Sequence, residues 1–89
     1  MVDIASFKRA VRNSKLVEVT FLNRSAGLTE TRTVGAQDLQ RTDSGWTLWF
    51  LDVADDKPHP FPKSADEVRS LMVLEEAFVR VRQPAHLTD

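Results

Sequence analysis

Residues 45–52 read Gly-Trp-Thr-Leu-Trp-Phe-Leu-Asp, and they constrain the fold more than any other stretch. The segment is short, apolar and β-prone, and the turn-forming Asp43-Ser44 leads into it. Its apolar side chains fall on both faces of a strand, so something must cover each face. It reads as the central strand of a small sheet. It also holds both tryptophans of the chain, Trp46 and Trp49, three positions apart and so on opposite faces. Trp49 is expected to pack beneath a helix. The competing reading is an exposed anchor for a partner or a platform for a base.

The elements before this strand have clear patterns. Asp3 is placed to cap a helix in which Ile4, Phe7, Ala10 and Val11 form one apolar stripe and Arg9 and Arg12 point away from it. Asn13-Ser14 ends that helix. Val17, Val19 and Phe21 alternate with Glu18 and Thr20, which predicts a half-buried strand over 16–23. Residues 24–27 make a hairpin loop closed by Gly27, and a Thr-rich strand over 29–34 returns from it. Residues 35–41 read as a loop followed by a short strand, with Leu39 buried.

After the tryptophan strand, 54–58 is a polar turn. Pro58, Pro60 and Pro62 then alternate with His59 and Phe61. Proline donates nothing to a ladder, so this piece is an edge strand or a polyproline-like loop. Ser64 and Glu67 have capping-box spacing, which predicts a helical turn. The run 71–74 fits either the continuation of a helix or a strand. Val79 and Val81 alternate with Arg80 and Arg82 to suggest a last strand over 77–82, closed by Pro84. Together these predict a mainly β chain: an SH3/Sm-like small barrel of about five strands, one N-terminal helix, and a short helical turn near 64–70. The domain is expected over 1–83, with a flexible tail over 84–89.

Composition narrows the function classes. The chain has 89 residues, enough for one domain. Its net charge is −1, but residues 1–41 carry seven bases against four acids, and 42–78 carry eight acids against three bases. A dedicated duplex-DNA binder shows a general basic excess, and this chain does not. Cysteine is absent, so disulfides and thiolate metal sites are excluded and a reducing cytoplasm fits. No signal peptide is read in Met1-Val2-Asp3-Ile4, and no apolar run approaches the ~20 residues that span a bilayer. His59 lies near Asp55 and Asp56, but the spacing matches no metal pattern, and neither metal nor cofactor is expected. No nucleophile elbow, Walker loop or zinc-protease motif occurs, so an enzyme is not expected.

Three segments resemble the WYL domain, a barrel family of bacterial and phage regulators. Arg32-Thr33-Val34-Gly35-Ala36-Gln37-Asp38-Leu39 is similar to the family's R-x-V-x-P-x-x-L, with Ala36 in place of proline. Gly45-Trp46-Thr47-Leu48 resembles the naming W-Y-L, with Thr47 for tyrosine. The stretch from Asp66 to Phe78 resembles D-R-I-x-x-L ending near a phenylalanine, with Glu67 where the family has arginine. Small phage-encoded barrels share the layout, including an opening Val17-Glu18-Val19-Thr20-Phe21. The resemblance implies a helix with a five-stranded barrel, a strand at 71–74, and a regulatory module that senses nucleic acid or an anionic ligand. Of the family's basic positions only Arg32 is matched. Arg32, Arg41, Arg12 and Arg9 are therefore the candidate contacts for nucleic acid or an anionic ligand. The alternative is a small phage-type accessory protein acting on a protein partner through Trp49 and Phe61. The oligomeric state is left open by the sequence.

Overall fold

The computed structural model describes residues 2–53, 58–80 and 82–87. The chain is mainly β. Helix α1 (Ile4–Arg12) leads into β1 (Lys15–Asn23), β2 (Leu28–Thr42), β3 (Gly45–Leu51), β4 (Pro60–Ser64), a 3-10 turn (Ala65–Glu67) and β5 (Val68–Ala77). All strand pairs are antiparallel, in one sheet ordered β4-β3-β2-β1-β5.

Local chemistry places the ends of these elements. The Asp3 carboxylate accepts from the Ala5 and Ser6 N–H groups, which caps α1. The Asn23 side chain accepts from the Ser25 and Ala26 N–H groups in the β1–β2 loop, where Gly27 takes a φ of 69°. Glu67 accepts from both the N–H and the hydroxyl of Ser64, as the capping-box spacing predicts.

Phe7, Ala10 and Val11 of α1 are buried against Val17, Val19, Phe21, Val34, Leu39, Leu48 and Phe50. Each of these valine, leucine and phenylalanine side chains stabilises the fold by roughly 1.5–3 kcal/mol over leaving it in water. The Phe7 and Phe50 rings meet edge to face at 5.5 Å.

The sheet is strongly curled. Its outer strands, β4 and β5, are consecutive in the chain and joined by only the three residues of the 3-10 turn. Four flat inter-strand spacings would part them by about 19 Å. Phe61 of β4 and Phe21 of β1 come within 6.0 Å across the inside of the curl, although β3 and β2 separate their strands in the sheet.

Three sequence expectations need correction. The loop and short strand expected over 35–41 are instead the second half of one continuous 15-residue strand. β2 pairs with β1 as far as Gly35 and with β3 from there on, and a register shift between Ala36 and Asp38 bends it. Every residue from Val34 to Leu39 is buried, because the bend is covered on both faces and the polar–apolar alternation that marks a strand is lost. Secondly, β2 is the middle strand of the sheet, and β3 lies between β2 and β4. Thirdly, the last strand spans Val68–Ala77 rather than 77–82. Beyond it, Val79 is 88% exposed and Arg80 turns inward, the reverse of the expected alternation. The strand at 71–74 is present within β5, and Pro60 and Pro62 sit on the edge strand β4. The polar turn expected at 54–58 falls largely on 54–57, outside the described residues.

Candidate functional site

Among the described residues, the side chains with chemistry to offer gather in three places. The first is the bend in β2. Arg80 reaches into it and donates from Nε to the Ser14 hydroxyl (2.8 Å), from Nη1 to the Gln37 carbonyl (3.1 Å) and from Nη2 to the Ala36 carbonyl (3.2 Å). Its Nη2 also donates to the Val11 carbonyl at the end of α1, which accepts from the Ser14 N–H as well. A cation there also complements the negative end of the helix. Burial lowers the Arg80 pKa from its ordinary value, and the Asp38 charge opposes that shift.

Beside it, Asp38 is 4% exposed and holds the chain's C-terminal stretch. Its carboxylate accepts from the N–H groups of Leu39, Ala85 and His86, and pairs with the His86 ring at 2.7 Å. The Gln37 amide donates to the Arg82 carbonyl. Leu87 packs on the core. Residues 85–87, read from sequence as part of a tail, thus lie against the sheet. The His86 ring stacks on Trp49 at 6.3 Å, and the Trp49 indole donates to Gln40. Trp49 therefore sits under the C-terminal stretch. The strand's contact with α1 is made by Phe50, on the other face. Asp38 and His86 resemble two members of a hydrolytic triad. The cavity of about 140 Å³ beside them is lined by no hydroxyl or thiol to complete one.

The second place is the open end of the curl. Arg32 pairs with Glu30 at 3.1 Å and Asp52 at 3.7 Å, and its guanidinium lies 5.9 Å from the centre of the Phe21 ring. Lys63 lies over the same ring at 4.8 Å. Two carboxylates thus accompany two cations, which weakens the attraction for a phosphate. Phe61 packs inward on Phe21 and Phe50.

The third place is a groove between the start of α1 and the corner where β4 turns into β5. Val2, Ile4, Trp46, Ala65 and Val68 make its apolar lining, with Asp66 and Arg69 also on its wall, around a cavity of about 580 Å³. The Asp66 pKa is lowered by hydrogen bonding and by the Arg24 and Arg69 charges, and like an ordinary aspartate its carboxylate is ionised at neutral pH. Arg41 stacks over Trp46 at 5.0 Å, and Lys8 lines a small neighbouring cavity with both.

No family model, curated protein or solved structure matches the chain.

The four arginines singled out from sequence do not converge. Arg32 is at the open end of the curl and Arg41 beside Trp46. Arg9 and Arg12 are exposed on the last turn of α1, Arg9 donating to the Ser6 hydroxyl and lining a separate groove with Lys15. Sequence reasoning missed Arg80, Asp38 and His86. Their partners lie more than 40 residues away along the chain, and no local spacing announces such pairs. Among the described residues, no group of three or more His, Cys, Asp or Glu is poised to hold a metal. His59 is described, but Asp55 and Asp56 lie outside the described residues. Among the described residues, no helix is long and apolar enough to cross a membrane.

Proposed function

We propose that the curled sheet is a small barrel of the SH3/Sm kind, akin to WYL domains, and that it serves as a non-enzymatic cytoplasmic module binding a protein segment. The short turn joining the outer strands and the Phe21–Phe61 contact across the interior support the barrel. The observation that carries the binding reading is the groove at Trp46. It is apolar at its centre, charged at its rim by Asp66 and Arg69, and larger than the other cavities described above. Its occupant is an extended segment with one large apolar side chain for the groove, flanked by a basic residue for Asp66 and an acidic one for Arg69.

A second reading, an anionic ligand or single-stranded nucleic acid, rests on Lys8 and Arg41 beside Trp46. One panel separates the two. Peptides of the stated pattern and single-stranded oligonucleotides are titrated by fluorescence anisotropy at low and high salt. The protein reading expects peptide binding that Trp46→Ala weakens at least about tenfold, a hot-spot-sized loss. Oligonucleotide binding that falls steeply with salt and needs Arg41 would replace it with the second reading.

A further inference from the structure

The two outer edges of the sheet are built differently. β4 carries Pro60 and Pro62, which have no N–H to offer a neighbouring strand. β5 has no proline over its ten residues, and it exposes Met72 (56%) and Val73 (38%). An edge of this kind presents unpaired backbone donors and acceptors to any strand that fits.

We propose that β5 pairs antiparallel with β5 of a second copy of this chain, about a two-fold axis through Met72. The register follows from faces and charge. Pairing with β1 sets Leu71 against Val19 and Val73 against Val17, toward the core, while Ser70 and Met72 lie opposite Thr20 and Glu18 on the outer face. Directly opposed residues in a continuous sheet share a face, so the axis must pass through a residue and not between two. Centred on Met72, the pairing opposes Leu71 to Val73 and, just beyond the regular stretch, brings Arg69 toward Glu75, twice over by symmetry. Centred on Leu71 it would oppose Arg69 to Val73, and centred on Val73 it would oppose Arg69 to Ala77. Only the Met72 axis matches the charges. In the single chain Arg69 donates to the Asp66 carbonyl, and the Glu75 carbonyl accepts from Lys15; neither contact occupies the Glu75 carboxylate. The β1–β5 register shifts on either side of Ser70–Val73, so the regular stretch is short and the dimer is of the weak, small-interface class. The prolines of β4 disfavour the alternative, in which β5 of one copy adds to β4 of the next.

The chain has no cysteine, so Met72→Cys introduces a single thiol. Directly opposed residues on antiparallel strands lie about 4.5–5.5 Å apart at Cα, within reach of a disulfide. Under mild oxidation at high micromolar concentration, Met72→Cys should link into a dimer and Pro62→Cys on β4 should not. By sedimentation, Arg69→Glu should weaken association about tenfold, and adding Glu75→Arg in the same chain should restore it. Circular dichroism on each variant confirms that the sheet is intact. A monomer throughout at high micromolar concentration overturns the proposal. So does a Met72→Cys variant that links no faster than Pro62→Cys, or a dimer indifferent to the charge exchange. Arg69 also stands on the wall of the Trp46 groove, so the Met72→Cys link, which touches neither the groove nor its peptide, is the readout independent of that site.

Discussion

Trp46 and Trp49 belong to the same strand, yet their surroundings are opposite in kind. Trp49 is saturated: its indole N–H has an acceptor in Gln40, and its ring is stacked by His86, which Asp38 anchors by ring and backbone. Trp46 lines a groove that is apolar at its centre, and Arg41 stacks over its ring. Around Trp49 and His86 the buried polar groups among the described residues are matched except Gln37 Oε1, so a newcomer mostly displaces existing bonds. Where apolar surface lies open, burying it is favourable. The Trp49 side therefore holds the fold, and the Trp46 side is left to recognise.

This contrast can be attacked first where the effect should be largest. Arg80→Met should cost about 3 kcal/mol in chemical denaturation, because it removes the donor shared by three partly buried carbonyls and the Ser14 hydroxyl. Arg80→Lys should recover only part of that, since one ammonium cannot replace a planar fork that spans four acceptors. A smaller loss, about 2 kcal/mol, is expected for Gly35→Ala, whose new Cβ would stand 2.8 Å from the Phe78 ring. Phe78→Ala in the same chain should lessen the added cost of Gly35→Ala, a coupling measurable by a double-mutant cycle.

Asp38→Asn should cost about 1 kcal/mol and speed amide exchange at Ala85 and His86, because an amide loses the charge that strengthens those bonds. The smallest effect belongs to the other side of the strand, at the corner beside the groove. Hydrogen bonding to Ser64 lowers the Glu67 pKa from 4.5. Its contribution to stability is therefore complete above about pH 4.5 and is lost as pH falls through the lower folded-state value. Glu67→Gln should flatten the acid limb of the stability–pH curve by lowering the neutral plateau toward the acid value. If Trp49-side variants leave stability untouched while Trp46→Ala unfolds the chain, the division between the two sides is wrong.

What was legible in the sequence was whatever depends on neighbours in the chain. The Asp3 cap, the α1 stripe, the alternation of Val17, Val19 and Phe21, and the Ser64–Glu67 spacing all report interactions within a few residues. The second half of β2 was hidden because both its faces are covered, which erases the period of two that marks a strand. Arg80 misled through the same rule: alternation with Val79 and Val81 put the valines inside, while the pull of carbonyls from α1 and the β2 bend brings the guanidinium in and leaves Val79 in water. Arg32 looked like an uncommitted cation because Glu30 and Asp52 meet it only once the sheet curls.

The two indole N–H resonances report on the two sides separately, and the chain has no third tryptophan to confuse them. Titrating a peptide of the proposed pattern in a heteronuclear NMR experiment should shift the Trp46 indole and leave the Trp49 indole in place. A shift at Trp49 with Trp46 unmoved would contradict the account.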